Sequence, residues 1–341
     1  MRGILPCDID ASNVRFMDSL QDLQRGLQAG LEVGELARIA PGVQRLVAPN
    51  ASLMTGPGTN SYVLGEPPVA VLDPGPDDPG HLTLLRQAVP QLRFIFVTHT
   101  HRDHSCAARA LAAATGAVIV GLRAPDDGLQ DMSCSPDVEP PDDAVFELSE
   151  NASPGSNEAI GRDMRRADAA STSRDIQPPA PFRLRAIHTP GHASNHVCYL
   201  LEESGLLFSG DHVLEGVTPV ILPPDGDMGA YLQALERLKT YPLRAIAPGH
   251  GRVMRDPVGV IDGVIAHRAR REAKVVAALS RVGRGSLDEL LTQVYDDVRP
   301  DLLPIARYSL EAHLIKLRRE GRATVETSVE GDQWVAPAGR E

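Results

Sequence analysis

The spacing of apolar residues divides the chain into stretches of different structural character. Between Arg15 and Arg38, Phe16, Leu20, Leu23, Leu27 and Leu31 recur at helical spacing, which predicts a helix packed on the outside as part of an N-terminal extension over residues 1–40. From Gly42 the pattern is that of strands: Val43–Val47, Asn60–Leu64 and Val69–Asp73, with the turn-rich segment Met54-Thr55-Gly56-Pro57-Gly58-Thr59 between the first two. A helix is expected over His81–Ala88. The run Phe94-Ile95-Phe96-Val97 reads as a buried strand, and the Ala-rich segment Ser105–Thr115 as a helix. Strands follow at Phe182–Ile187, Gly205–Phe208 and Arg244–Ala247, and Val197–Leu201 is another apolar run. These elements predict a mixed α and β core over residues 41–256.

The core is interrupted between Glu150 and Pro181, where Ser, Asn, Asp, Arg, Ala and Pro dominate and few large apolar side chains occur. Such a composition buries little surface, so a disordered insertion is expected, with a short ordered hairpin as the alternative. Beyond residue 256 the pattern turns helical. Asp256–Arg281 is a long linking helix, Ser286-Leu287-Asp288-Glu289 has the form of a capping box opening a helix to about Val298, and Pro304–Glu320 carries Leu310, Leu314 and Leu317 as a stripe ended by Gly321. Ala323–Thr327 and Gln333–Ala336 then read as two strands. Helices followed by a β-hairpin make residues 257–341 a linking helix and a small winged-helix-like unit, suited to binding nucleic acid or to serving as a packing or homodimer-forming lid.

Chemistry concentrates directly after the strands. Thr98-His99-Thr100-His101-Arg102-Asp103-His104 follows the Phe94–Val97 run, so three imidazoles and a carboxylate leave a strand end and enter the first turn of a helix. Those are the donor types that first-row divalent metals such as zinc take. The signal recurs in order as Thr189-Pro190-Gly191-His192, Ser209-Gly210-Asp211-His212 and Pro248-Gly249-His250-Gly251, each just past a strand and beside a glycine that permits a sharp turn. His212, His196, His188, His81, His267 and His313 have no motif partner and are expected to be structural or solvated.

The ordered series His-x-His-x-Asp-His, His, Asp, His resembles the metallo-β-lactamase fold hydrolases over most of the chain. The resemblance implies an α+β, αββα sandwich. It implies two divalent metal ions, with zinc named first: one on His99, His101 and His192, the second on Asp103, His104 and His250, and Asp211 bridging them. It implies a metal-bridging hydroxide as nucleophile, with Asp103 as the residue that orients it and moves its proton, or as a plain ligand. The commonest zinc β-lactamases carry cysteine where this chain has Asp211 and arginine where it has His104, so an antibiotic lactamase is not expected. The diiron oxygen reductases of this fold carry glutamate at the position of His101, so a redox enzyme is not expected either.

Met54–Asn60, His267-Arg268-Ala269-Arg270-Arg271-Glu272 and Tyr308–Leu314 further resemble the β-lactamase-like protein 2 group, which joins such a core to a small winged-helix-like unit. That resemblance implies a phosphodiesterase or endoribonuclease on single-stranded RNA, with Arg270, Arg271 and Lys274 contacting the substrate. Two alternatives stand beside it: a thioester or ester hydrolase of hydroxyacylglutathione type acting on a small acyl substrate, and a non-catalytic nucleic-acid-binding module.

Net charge tempers the RNA reading, because a formal charge of -11 disfavours nonspecific attraction to a polyanion. The four cysteines show no Cys-x-x-Cys pairing, which fits reduced thiols in a cytoplasm. No apolar run reaches the ~20 residues that span a bilayer, so no membrane partner is expected.

Overall fold

The computed structural model describes residues 31–126, 128, 130–149, 182–328 and 331–336. The helix expected between Phe16 and Leu27 and the insertion expected over 150–181 lie outside the described residues. Strands β1 (Leu36–Ala40), β2 (Val43–Val47), β3 (Asn60–Gly65), β4 (Pro68–Leu72), β5 (Phe94–Phe96) and β6 (Val118–Val120) form a six-stranded sheet in that order. The first four are antiparallel; β4, β5 and β6 are parallel, joined through helices α1 (Pro79–Ala88) and α2 (Arg102–Thr115).

The second sheet is five-stranded, in the order β11, β10, β9, β8, β7, built from β7 (Val145–Leu148), β8 (Phe182–His188), β9 (Val197–Leu201), β10 (Leu206–Gly210) and β11 (Ala245–Pro248). Its one parallel pair, β10 with β11, is connected through helix α3 (Met228–Leu238).

The sheets pack face to face. Tyr62 meets Phe208 at 4.9 Å between ring centroids, and Phe96 meets Phe146 at 5.3 Å and Tyr199 at 5.2 Å. The outer face of the first sheet is covered by α1 and α2 through Leu85, Ala108 and Leu111. The outer face of the second is covered by α3 and the first half of α4 (Pro257–Val282) through Tyr231, Leu235, Ile261 and Val264. The result is the αββα metallo-β-lactamase fold. Residues 36–40 correct the helical reading that ran to Arg38: they are an edge strand paired with β2, reversing at Gly42 with φ of 62°.

The second half of α4 belongs to another core. Val275, Ala278 and Leu279 pack with α5 (Leu287–Val294), α6 (Leu303–Arg319) and Trp334. A three-stranded sheet of β12 (Arg284–Gly285), β14 (Gly331–Val335) and β13 (Thr324–Ser328), in that spatial order, completes a winged-helix unit. The capping box at Ser286 and Glu289 is formed, and α5 stops at Val294, four residues earlier than its apolar pattern suggests. Among the described residues no helix is long and apolar enough to cross a membrane.

Candidate metal centre

Four chain segments leave the two sheets at one edge, and each delivers donors. His99, His101, Asp103 and His104 follow β5, His192 follows β8, Asp211 follows β10 and His250 follows β11. Crosslinks between the sheets fix the edge. The Asn60 side-chain amide donates to Pro248 O and Gly251 O, both at 2.9 Å, and the Tyr62 hydroxyl donates to Pro248 O at 2.7 Å.

The donors gather into two adjoining groups. In one, Nδ1 of His101 lies 2.9 Å from His99 Nε2 and 3.1 Å from His192 Nε2. In the other, Oδ2 of Asp103 lies 3.3 Å from both His104 Nε2 and His250 Nε2. Asp211 stands between them: its Oδ1 is 3.4 Å from His104 Nε2 and 3.3 Å from His250 Nε2, and its Oδ2 is 3.7 Å from His192 Nε2. The triads His99–His101–His192 and Asp103–His104–His250 each converge closely enough to hold a metal ion, and His99, His104 and Asp211 link them.

The outer partners decide which nitrogen faces inward. The Thr98 hydroxyl donates to Asp73 Oδ2 at 2.8 Å, so at 3.0 Å from His99 Nδ1 it is left to accept from that nitrogen. His104 Nδ1 meets Asp73 Oδ2 at 3.0 Å, His192 Nδ1 meets Val220 O at 2.7 Å, and His250 Nδ1 meets Gly58 O at 3.3 Å. Each acceptor takes the Nδ1 proton and leaves Nε2 as a lone-pair donor toward the centre, the usual arrangement behind a metal-bound histidine. Asp73 holds φ of 49°, an uncommon conformation for a non-glycine residue, and with it aims one carboxylate at both Thr98 and His104.

The electrostatics of the bare cluster suit a cation. Burial, reinforced by neighbouring imidazoles, drives His99 well below its ordinary pKa, and burial together with His192 lowers His101 to about 3. His104 and His250 go the other way. Burial opposes their charge, but Asp103, Asp211 and Asp73 around His104 raise it well above the ordinary value, and Asp211 and Asp103 raise His250 to about 9. Burial would likewise raise Asp211, yet His250 and His104 outweigh it and hold the carboxyl well below the usual range. His104 Nε2 and Asp211 Oδ1 are buried without a hydrogen-bond partner, and a Cβ added at Gly249 would fall 2.6 Å from Asp211 Oδ1 and 2.7 Å from the His104 ring. Buried donors that meet only one another, in a cradle that excludes even a methyl group, fit bound metal ions.

The three basic residues expected at the substrate are placed differently. Arg271 is buried, donates to Val294 O at 2.7 Å and Asp297 Oδ1 at 2.8 Å, and lies over the Tyr295 ring. Lys274 pairs with Asp296 at 2.7 Å and Asp297 at 3.1 Å. Of the three, Arg270 alone is exposed without a described ion pair, while Arg271 and Lys274 pair with residues at the junction between α4 and the C-terminal unit.

No motif in the sequence marks a role for Thr59, whose hydroxyl lies 3.2 Å from Asp103 Oδ2, or for the Val220 carbonyl, which any residue can supply. His212 and His196, expected to be structural, are buried against Tyr231 at 4.7 Å and His99 at 5.1 Å respectively.

Comparison with known proteins agrees with this geometry. The family profile described as metallo-beta-lactamase superfamily matches residues 54–131 and 136–250, more than half of the chain, and that described as beta-lactamase associated winged helix domain matches 286–334. A beta-lactamase-like protein 2 homolog of Drosophila melanogaster is 29% identical over 308 residues, spanning 88% of this chain and 96% of the relative. An atrochrysone carboxyl ACP thioesterase of Cryptosporiopsis sp. is 27% identical over 340 residues, spanning 93% of this chain and 92% of the relative. In three dimensions a metallo-beta-lactamase family protein from Thermus thermophilus superposes with a TM-score of 0.65 at 20% identity, covering 88% of this chain and all (100%) of that one.

Proposed function

We propose that this chain, which belongs to the metallo-β-lactamase superfamily of hydrolases, is a two-metal hydrolase that cleaves an acyl thioester. The observation that carries the reading is the pair of donor triads with one Asp211 oxygen turned toward each. His99, His101 and His192 would hold one divalent ion, Asp103, His104 and His250 the other, and Asp211 would serve both. Histidine and carboxylate donors without a thiolate suit zinc, and manganese or iron by the same ligand chemistry. Two such ions, when bound, supply a hydroxide from a water of pKa about 7 and polarise the carbonyl under attack.

The protein's own groups supply the rest. Asp103 takes its described contacts from Thr59, His104 and His250 on Oδ2, which leaves Oδ1 to receive the proton of the attacking water and return it to the departing sulfur. Thr59 keeps that carboxylate from rotating, and the Nδ1 acceptors behind the histidines hold each ring in place.

The substrate class is supported by two observations. Arg271 is committed to the internal Val294 carbonyl, Lys274 pairs with two carboxylates of its own chain, and similarity to the thioesterase extends across 93% of the chain, so the C-terminal unit does not by itself argue for nucleic acid. A second reading, hydrolysis of single-stranded RNA, is favoured by the winged-helix match and by Arg270 exposed on α4.

One experiment separates them. Metal-loaded protein is given an acyl N-acetylcysteamine thioester and a labelled single-stranded RNA. Thioester cleavage that a chelator abolishes, with the RNA intact, is the expected result. RNA cleavage that falls in Arg270→Glu, with the thioester untouched, overturns the thioester reading.

A further inference from the structure

The loop between β10 and α3 carries a support for the metal ligands that comes from outside the core sandwich. Residues 213–227 form no helix or strand, yet the Val220 carbonyl in this loop orients His192. Its neighbour is held just as closely: Arg268 on α4, only 3% exposed, donates through Nη2 to the Pro219 carbonyl. The same guanidinium lies over the Tyr231 ring, 5.6 Å from its centroid.

Tyr231 in turn touches the metal edge at two points. Its hydroxyl donates to the carbonyl of His212 at 2.9 Å, directly after Asp211. Its backbone presses on the turn before His192, where a Cβ on Gly191 would come within 2.4 Å of Tyr231 Cα. Arg268 and Tyr231 therefore fix the chain on either side of the segment from Asp211 to Val220, as well as the approach to His192.

Three residues further along α4, Arg271 makes the corresponding contacts with the winged-helix unit: a carbonyl, Val294 O, and an aromatic ring, Tyr295. One helix thus holds the loop behind His192 with one arginine and the C-terminal unit with the next.

We propose that Arg268, with Tyr231, is a positioning residue for the metal centre, acting on the His192 ligand through the loop that carries the Val220 carbonyl. The inference rests on the two-metal reading above. The outer carbonyl of a ligand histidine sets both its tautomer and its ring angle, and such partners are typically worth about 10- to 100-fold in metal affinity. Arg268 acts one residue away, by fixing the carbonyl of Pro219 in the peptide that precedes it.

The test compares the full-length parent with Arg268→Met, which keeps an unbranched apolar stem and removes the guanidinium with its donors, and with Tyr231→Phe, which removes only the hydroxyl. Each protein is stripped and titrated with cobalt(II), recording the visible absorption of the bound ion and the affinity of each site. In Arg268→Met the site containing His192 is expected to weaken at least about tenfold with an altered absorption band, while the Asp103–His104–His250 site keeps its affinity. Tyr231→Phe is expected to alter the absorption band with secondary structure intact, through His212 and the Asp211 ligand before it, which preserves the test should Arg268→Met fail to fold. Parent-like affinities and spectrum in both variants overturn the proposal, as does equal weakening of both sites, which marks Arg268 as general scaffolding. A parent protein that takes up no cobalt removes the two-metal reading, and the inference with it; a parent that binds cobalt while the variants are unchanged removes the inference alone.

Discussion

At the scale of single residues the centre is organised by acceptors more than by the histidines themselves. An imidazole can offer either nitrogen, and Asp73, Thr98, Val220 O and Gly58 O make the choice for four of them. Asp211 is different because each of its oxygens faces a different triad. Asp211→Ala is therefore expected to lose metal at both positions, whereas His250→Ala loses mainly the ion shared with Asp103 and His104. Elemental analysis after gel filtration checks this, and loss of a single equivalent in both variants argues against a bridging carboxylate. A second residue-level prediction concerns His81, buried with Nε2 2.9 Å from Ser61 Oγ and lowered to about 4, chiefly by burial. Its folded pKa lies below the unfolded value of about 6.5, so the unfolded chain binds the extra proton first as pH falls. The associated stability is whole above about 6.5 and drains away down to about 4, by up to roughly 3 kcal/mol. Urea unfolding of wild type and His81→Gln across that window should show the variant losing less stability on acidification; parallel curves would mean that His81 is not held neutral.

At the scale of elements, β7 and β8 are paired with Leu148 opposite Phe182, so the ends of segment 149–181 are already neighbours in an antiparallel ladder. Closing a short loop between adjacent ends costs little, and replacing 150–181 with a Gly/Ser turn is expected to leave metal content and thioester turnover near wild type. Loss of folding in that variant, seen by circular dichroism, would mean that the segment packs on the sandwich. The same scale shows what was legible in the sequence. β2 to β5 were readable because each is a short apolar run closed by turn residues, and the donors were readable because each stands at such a closure. β1 was not: its positions are mostly half-buried, so an edge strand showed no alternation to set against the helical spacing before it. β6 has three residues and β7 four, too few to establish a period. Arg271 and Lys274 looked like a surface patch because their partners, a carbonyl in α5 and carboxylates just beyond it, become neighbours only on folding.

At the scale of the whole molecule, the αββα sandwich and the winged-helix unit share α4, whose first half packs through Ile261 and Val264 and whose second half packs through Val275 and Leu279. A helix common to two hydrophobic cores loses a packing partner for both when it melts as a whole, so the two units are expected to unfold together. The chain has a single tryptophan, and Trp334 is buried in the C-terminal core, away from every proposed metal ligand. Its fluorescence therefore reports on the winged-helix unit alone, while circular dichroism follows the whole chain. A ligand that binds only the folded state stabilises it by RT ln(1 + [L]/Kd), about 2.7 kcal/mol at a hundredfold excess over Kd. Zinc added to the stripped protein is accordingly expected to raise the thermal midpoint reported by Trp334 by the same amount as the midpoint seen by circular dichroism, although the proposed ligands all belong to the sandwich. Should the dichroism midpoint rise while the tryptophan midpoint stays fixed, the units melt separately and α4 does not couple them. Should both rise in the wild type but only the dichroism midpoint rise in Arg271→Met, the coupling runs through the contacts of Arg271 with Val294 and Tyr295, as the packing of α4 leads one to expect.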